Sequence, residues 1–196
     1  SARMLVRMAL WARHHDVRPF YSTSANGQVI ALASEDEAFR ELVKQADQVH
    51  ADGMPMVKLS GYVASDEITE RVATTDLIHA VARLAQKAGV SFYFLGATPE
   101  VNRRSVSNMR WRYPKLIFAG ARDGYFKRDE EARVVAEIVA AKPDILWIGL
   151  GVPKEQEFVA RNIEALRGVG VIKTSGGLFD FLSGKNSRAP KWMQDI

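Results

Sequence analysis

Short, largely apolar runs alternate with glycine turns and amphipathic helices along most of this chain. The clearest runs cover residues 90–95, 144–150 and 169–173, and each is followed by a glycine within three residues. Apolar runs of this length suit strands that are covered on both faces, and strands separated by helices pair in parallel through right-handed crossovers. The pattern therefore predicts an α/β fold, a Rossmann-like sandwich with a mostly parallel sheet and helices on both faces.

Helix boundaries are marked by residues that favour helix ends. Thr98 and Pro99 suit the N-cap and the first helical position, and Gly89 suits the end of the preceding helix. Ser34 and Glu37 form a capping-box pattern, which predicts a helix from about residue 35 to about residue 48. Residues 28–32 are predicted to be extended.

The composition restricts the kinds of protein this chain can be. Its 196 residues, 47% of them hydrophobic, suit a single globular domain over residues 1–196. The chain has no cysteine, which excludes disulfides, thiolate zinc sites and cysteine nucleophiles. The formal net charge is +4, and without a long Lys/Arg run this mild excess does not indicate a nucleic-acid-binding protein. No stretch approaches the roughly 18 apolar residues of a membrane span.

Asp52 interrupts an apolar run that is predicted to be a strand. Gly53 and Pro55 follow it and break regular structure, so the carboxylate should lie in a turn at the carboxyl end of the strand. In open α/β sheets, ligands bind at this position. The alternative is that Asp-Gly is a turn dipeptide whose carboxylate bonds its own backbone. On local sequence alone, both alternatives stay open.

Familiar phosphate- and metal-binding motifs are absent from the sequence. There is no Gly-x-Gly-x-x-Gly after a strand and no Walker loop, which argues against dehydrogenases and NTPases. There is also no Asp-x-Asp pair that would hold a metal ion. Backbone amides and cations would then neutralise a bound diphosphate. The candidate groups for binding the diphosphate are the glycine turns at 149–154 and 173–177 and the guanidinium of Arg71. The alternative for either turn alone is that its glycines only permit a tight turn from strand to helix.

An ordered set of motifs resembles the WecG/TagA/CpsF family of glycosyltransferases, over nearly the whole chain. Single motifs in the set are weak, but their order is specific, above all from Phe179 to Pro190. The motifs are Asp52-Gly53-Met54-Pro55, Glu70-Arg71-Val72, Thr75-Asp76-Leu77, Leu95-Gly96, Gly124-Tyr125-Phe126, Lys142-Pro143-Asp144, Gly149-Leu150-Gly151, Pro153-Lys154, Phe179-Asp180-Phe181, Gly184-Lys185 and Arg188-Ala189-Pro190.

The resemblance implies an activity. Members of the family transfer a sugar, often N-acetylmannosamine or its uronate, from a UDP donor to a polyprenyl-diphosphate-linked saccharide. Transfer proceeds with inversion and without a metal or other cofactor, and it builds cell-wall and exopolysaccharide polymers. A UDP-sugar and a lipid-linked acceptor are therefore the expected partners, and a homo-oligomer is one alternative for the assembly state.

The resemblance also implies roles for particular residues. Asp52 would be the general base, and Arg71 would neutralise charge on the departing UDP. Thr23, Ser24 and Asn26 would bind sugar hydroxyls. The remaining expected substrate contacts are Gly53, Gly96, Tyr125, Gly151, Pro153, Lys154, Glu155, Gln156, Gly176, Gly177 and Asp180.

The chain departs from the family pattern at three places. It starts inside the first predicted helix, without the family's usual N-terminal hairpin, which removes no motif. The family's Pro-Lys-Gln-Glu appears as Pro153-Lys154-Glu155-Gln156, so the acid and the amide are exchanged and either could face the site. The chain ends at Ile196, where relatives continue with an aromatic, arginine-rich tail associated with membrane docking. We therefore expect a truncated chain whose full-length form is peripheral on the cytoplasmic face of the plasma membrane.

Two other classes remain as alternatives to a glycosyltransferase. One is a nucleotide-sugar-binding or assembly module without catalysis. The other is a Rossmann-type oxidoreductase, against which the missing dinucleotide motif argues.

Overall fold

The structure, a computed structural model, describes residues 1–52 and 72–186. Within these residues it contains one six-stranded sheet in the order β2-β1-β6-β5-β3-β4. Every neighbouring pair is parallel, which confirms the predicted α/β class. The strands are β1 Phe20–Ala25, β2 Gln48–Ala51, β3 Ser91–Gly96, β4 Ile117–Arg122, β5 Ile145–Gly149 and β6 Val171–Thr174.

Helices cover both faces of the sheet. Trp147, Phe92 and Leu77 belong to the core on one face, whereas Ile148, Phe158 and Val134 belong to the core on the other. Among the described residues no helix is long and apolar enough to cross a membrane. The helices are α1 Ala2–Ala12, α2 Gly27–Glu35, α3 Glu37–Lys44, α4 Thr74–Ala88, α5 Pro99–Arg112, α6 Glu131–Ala141, α7 Lys154–Asn162 and α8 Leu178–Leu182, with a 3₁₀ turn at Arg128–Glu130.

Two of the predicted helix ends are confirmed. The Thr98 hydroxyl accepts a hydrogen bond from the backbone N–H of Val101 at 3.3 Å, and Pro99 is the first residue of α5. Gly89 ends α4 in the left-handed conformation, with φ of 66°. These ends depend on local backbone chemistry, so the sequence is sufficient to find them.

The prediction between β1 and β2 is wrong in two respects. Residues 28–32 lie in α2, because the Asn26 side chain accepts from the backbone N–H of Val29 at 3.0 Å and caps a helix directly after β1. The capping box at Ser34 does not form, since that hydroxyl donates to the Ala31 carbonyl. The next helix is instead capped by Asp36.

The order of the strands determines where a ligand can bind. Strands β5 and β3 are neighbours in the sheet, but the strands that follow them in the chain, β6 and β4, lie on opposite sides of this pair. Connections that diverge in this way open a crevice at the carboxyl ends of the strands, where open α/β sheets bind ligands. Asp52 follows β2 at this edge of the sheet, as predicted.

Candidate active site

A cavity of about 190 Å³ lies beyond the carboxyl ends of β1, β2 and β6. Its walls come from segments that are far apart in the chain and meet only because the strands are parallel. The polar side chains and glycine backbone that line it include Ser24, Asn26, Asp52, Thr74, Thr174, Glu155, Gly176 and Gly177.

The Asp52 carboxylate is anchored by the first residue of α4. Its Oδ2 atom accepts hydrogen bonds from the Thr74 hydroxyl at 3.0 Å and from the Thr74 backbone N–H at 3.3 Å. Helix N-termini favour negative charge because their first N–H groups lack helical partners. The carboxylate is therefore held by a distant segment, and the contact differs from the local turn that was the alternative for this residue.

A buried lysine lies behind Asp52. Lys173 of β6 has no solvent-exposed surface, and its Nζ donates to the Ser24 hydroxyl at 2.8 Å and to the Thr174 carbonyl at 2.9 Å. The Ser24 hydroxyl lies 3.1 Å from the Thr74 hydroxyl. The turn at residues 173–177 was predicted as a candidate anion site, but the contacts of Lys173 with Ser24 and of Ser24 with Thr74 were not predicted. A lysine inside an otherwise buried strand is a signal that could have found the first of these contacts.

Burial shifts the pKa values of three groups around this cavity. Burial lowers the pKa of Lys173 to about 8, against the opposing effect of the Glu155 and Asp52 carboxylates. Burial also raises the pKa of Glu155 to about 7, although the Gly176 amide and the Lys173 charge stabilise its ionised form. The pKa of His50 is lowered to about 4 by burial and then by Lys173, so His50 is neutral near pH 7.

Glu155, rather than Gln156, faces this cavity. Both carboxylate oxygens of Glu155 accept from the Gly176 amide, at 3.0 and 3.2 Å. Gln156 is also buried but does not line the cavity. The Gly176 amide, a predicted diphosphate contact, is thus hydrogen-bonded within the protein.

A larger cavity of about 770 Å³ lies beside the first, at the carboxyl ends of β3 and β5. Tyr125 lines it and is 76% exposed. Lys127, Arg128, Lys154 and Arg161 also contribute to its walls. Two of these cations, Arg128 and Arg161, are paired with Glu131.

A comparison with known proteins establishes the family. The sequence model described as the Glycosyl transferase WecG/TagA/CpsF family matches residues 2–196. The chain belongs to this family. It is therefore a glycosyltransferase, and the resemblance inferred from the ordered motifs is confirmed.

Relatives of this WecG/TagA/CpsF glycosyltransferase carry a more specific name. Proteins from Staphylococcus aureus strains MRSA252, NCTC 8325 / PS 47 and COL are 27% identical to it over 188 residues. The match covers 96% of this chain and 72% of each relative. Each relative is named N-acetylglucosaminyldiphosphoundecaprenol N-acetyl-beta-D-mannosaminyltransferase.

The structure divides the expected site residues of this glycosyltransferase into groups. Ser24, Asn26, Asp52, Glu155, Gly176 and Gly177 line the smaller cavity, whereas Tyr125 and Lys154 line the larger one. Gly53 and Arg71 lie outside the described residues, as does the Arg188-Ala189-Pro190 motif. The residues that line neither cavity are Thr23, Gly96, Gly151, Pro153, Gln156 and Asp180.

Some of the residues outside the cavities have evident structural contacts. The Thr23 hydroxyl is buried and lies 2.7 Å from the Thr174 hydroxyl. Asp180 forms an ion pair with Lys185 at 3.1 Å. Gly151 has φ of 80°, a conformation that favours glycine at the turn into α7.

Gly96 allows close approach of β3 to β5. Its φ is 139°, and a Cβ atom at this position would overlap the Gly149 carbonyl. We expect Gly96→Ala to lower the free energy of unfolding by about 3 kcal/mol, because the backbone would be strained and overpacked. Chemical denaturation measures this change. Gly27→Ala is the control, since a Cβ there meets nothing within 4 Å; equal stability of the two variants would contradict the packing role.

Proposed function

We propose that this glycosyltransferase moves a hexose from a UDP-sugar to a hydroxyl of a polyprenyl-diphosphate-linked saccharide, with inversion at the anomeric carbon. The observation that carries the proposal is the anchored Asp52 carboxylate in a cavity at the carboxyl ends of the strands. The names of the relatives, which specify a diphosphoundecaprenol-linked acceptor and a mannosaminyl group, support the choice of substrates.

Asp52 is the proposed general base. Inversion by a single displacement needs one base that removes the proton of the acceptor hydroxyl as its oxygen attacks the anomeric carbon. The new carbon–oxygen bond forms as the bond from that carbon to the diphosphate oxygen breaks, and UDP leaves with the electron pair. Thr74 holds one oxygen of the carboxylate and would keep Asp52 oriented for the proton transfer.

The larger cavity is the proposed site of the donor nucleotide. Its volume of about 770 Å³ falls in the range of small-molecule pockets, and the exposed Tyr125 ring offers a face for stacking against a base. Lys154 stands at the start of α7, where cationic and backbone donors suit a phosphate. Arg71, outside the described residues, is proposed as a further cation for the leaving diphosphate.

The acceptor lipid implies a reaction at a membrane surface. A polyprenyl chain stays in the bilayer, so the sugar-binding cavity must reach the headgroup region. We place the enzyme at the cytoplasmic face of the plasma membrane, where it would act as a peripheral protein.

We expect UDP and UDP-sugars to bind without a divalent metal. The sequence has no Asp-x-Asp pair, and the proposed donor site contains cations that can neutralise a diphosphate. Titration calorimetry with UDP, in a buffer with EDTA and in a buffer with Mg²⁺, measures how far UDP affinity depends on a divalent metal. Similar affinity in both buffers is expected, whereas binding that disappears in EDTA would contradict this account of the donor site.

Transfer itself is tested by release of UDP in the presence and absence of lipid-linked acceptor. A glycosyltransferase with these substrates releases UDP only when both are present. A non-catalytic nucleotide-sugar-binding module would bind the donor, as seen by a raised melting temperature, but would release no UDP.

A further inference from the structure

Lys173 lies in one of the least hydrated positions of the protein. It belongs to β6, between β1 and β5, and its strand neighbours are Ser22 and Trp147. It has no exposed surface. An ammonium group loses its hydration at such a position, and this loss is tolerated only where other polar groups replace the water. The Ser24 hydroxyl and the Thr174 carbonyl replace it here.

The hydrogen bonds that start at Lys173 run in one direction to Asp52. The Thr74 hydroxyl has a single proton, and it donates that proton to Asp52. Toward Ser24 it can therefore only accept, so the Ser24 hydroxyl is the donor of their 3.1 Å contact. Ser24 in turn accepts from Lys173, because an ammonium group has no lone pair.

We infer that Lys173 is a positioning residue for sugar transfer, which acts through Ser24 and Thr74 to hold Asp52 as an ionised, oriented proton acceptor. The inference rests on the proposed role of Asp52 as the base. A cation at the start of the chain polarises both hydroxyls in the same direction, and linked hydrogen bonds strengthen one another. The Thr74 hydroxyl is thereby kept as a hydrogen-bond donor to Oδ2. The other lone pairs of the carboxylate can then accept a hydrogen bond from the hydroxyl of the sugar acceptor.

Other charged or titratable groups near Lys173 do not replace this role. Glu155 influences the lysine electrostatically, but its carboxylate accepts from the Gly176 amide, whereas the Lys173 ammonium donates to Ser24 and to the Thr174 carbonyl. His50 is buried and carries no charge near pH 7, since its pKa is lowered to about 4 by burial and by Lys173. Among the described neighbours, the hydroxyls of Ser24 and Thr74 make the direct connection to Asp52.

The positioning role is tested by steady-state kinetics of Lys173→Met and Thr74→Val. Methionine keeps the length of the lysine side chain without its charge, and valine keeps the shape of threonine without its hydroxyl. We expect each variant to lower kcat by about tenfold or more. UDP affinity should stay within about twofold of the wild type, since neither Lys173 nor Thr74 lines the larger cavity proposed for the nucleotide. Lys44→Met is the control, because Lys44 is an exposed lysine on α3 and should keep wild-type activity.

Two features of the kinetics separate positioning from general damage to the fold. Because Lys173 loses its charge near pH 8, wild-type kcat should fall above that pH, and Lys173→Met should lack this decline. The double variant should be no slower than the slower single variant, because both changes interrupt one chain. Wild-type kcat and an unchanged pH profile in Lys173→Met, or purely additive losses in the double variant, would overturn the inference.

A second measurement does not depend on activity. The Nζ group of Lys173 can be titrated by NMR of lysine-labelled protein, with Lys173→Met used to assign its signal. Since the Asp52 charge raises the pKa of Lys173, Asp52→Asn should move the Lys173 titration to lower pH. An unchanged Lys173 titration in Asp52→Asn would overturn the coupling between Lys173 and Asp52, even if the protein transfers sugar from a UDP-sugar. A shifted titration in a protein that transfers no sugar would keep the coupling and overturn only the proposed function.

Discussion

Replacing Asp52 with asparagine is expected to lower turnover by about a hundredfold or more, the usual scale for a general base. Asparagine keeps the size of the side chain but cannot take a proton from the acceptor hydroxyl. Its amide oxygen can still accept from Thr74, so the N-terminus of α4 keeps a partner. We expect folding and UDP affinity to stay close to those of the wild type.

The measurement is kcat with saturating donor and lipid-linked acceptor, together with thermal unfolding and UDP calorimetry of the same preparation. Asp16→Asn is a matched control, since Asp16 is exposed and lines neither cavity. Wild-type turnover of Asp52→Asn would exclude Asp52 as the base. An unfolded variant would favour a purely structural role of the carboxylate at the end of β2.

Replacing Glu155 with glutamine is expected to remove a pH dependence from the stability of the protein. Burial raises the pKa of Glu155 from 4.5 to about 7, so the folded state binds a proton more tightly than the unfolded state does. The contribution of Glu155 to stability is therefore fully present below about pH 4.5 and is lost as pH rises through 7. Between pH 5 and pH 7.5 the expected loss is about 2 kcal/mol.

Urea denaturation at the two pH values measures this effect as the difference between wild type and Glu155→Gln, so that contributions from other groups cancel. Glutamine can still accept from the Gly176 amide, and it should make the protein more stable than wild type at pH 7.5. Glu100→Gln is the control, because Glu100 is exposed on α5. The same pH dependence in wild type and Glu155→Gln would show that the Glu155 carboxylate is not destabilised by its burial.

Features set by neighbouring residues in the chain could be predicted from the sequence. The end of α4 at Gly89, the start of α5 at Thr98 and the strand before Asp52 all depend on local chemistry. The position of Asp52 at a ligand-binding edge follows from the parallel sheet that the alternating pattern predicts. The family also follows from sequence, because its motifs occur in order along nearly the whole chain.

Features set by distant contacts could not be predicted. Ser24 and Lys173 are 149 residues apart, and Thr74 lies 22 residues beyond Asp52, so no local pattern joins them. The orientation of Glu155 was open because the acid and the amide are exchanged relative to the family motif, and only the contact with the distant Gly176 amide shows that Glu155 faces the cavity. The helix at α2 was missed because the Asn26 cap outweighs the extended preference of Val29 and Ile30.

The most direct test of the proposed transfer uses UDP-N-acetylmannosamine and N-acetylglucosaminyl-diphosphoundecaprenol, a pair chosen from the names of the relatives, with EDTA present. NMR of the isolated product gives the configuration of the new anomeric bond, and UDP release gives the rate. We expect UDP release that requires the acceptor, an anomeric configuration opposite to that of the donor, and loss of both signals in Asp52→Asn. Retention of the donor configuration, or undiminished transfer by Asp52→Asn, would contradict a single displacement with Asp52 as its base.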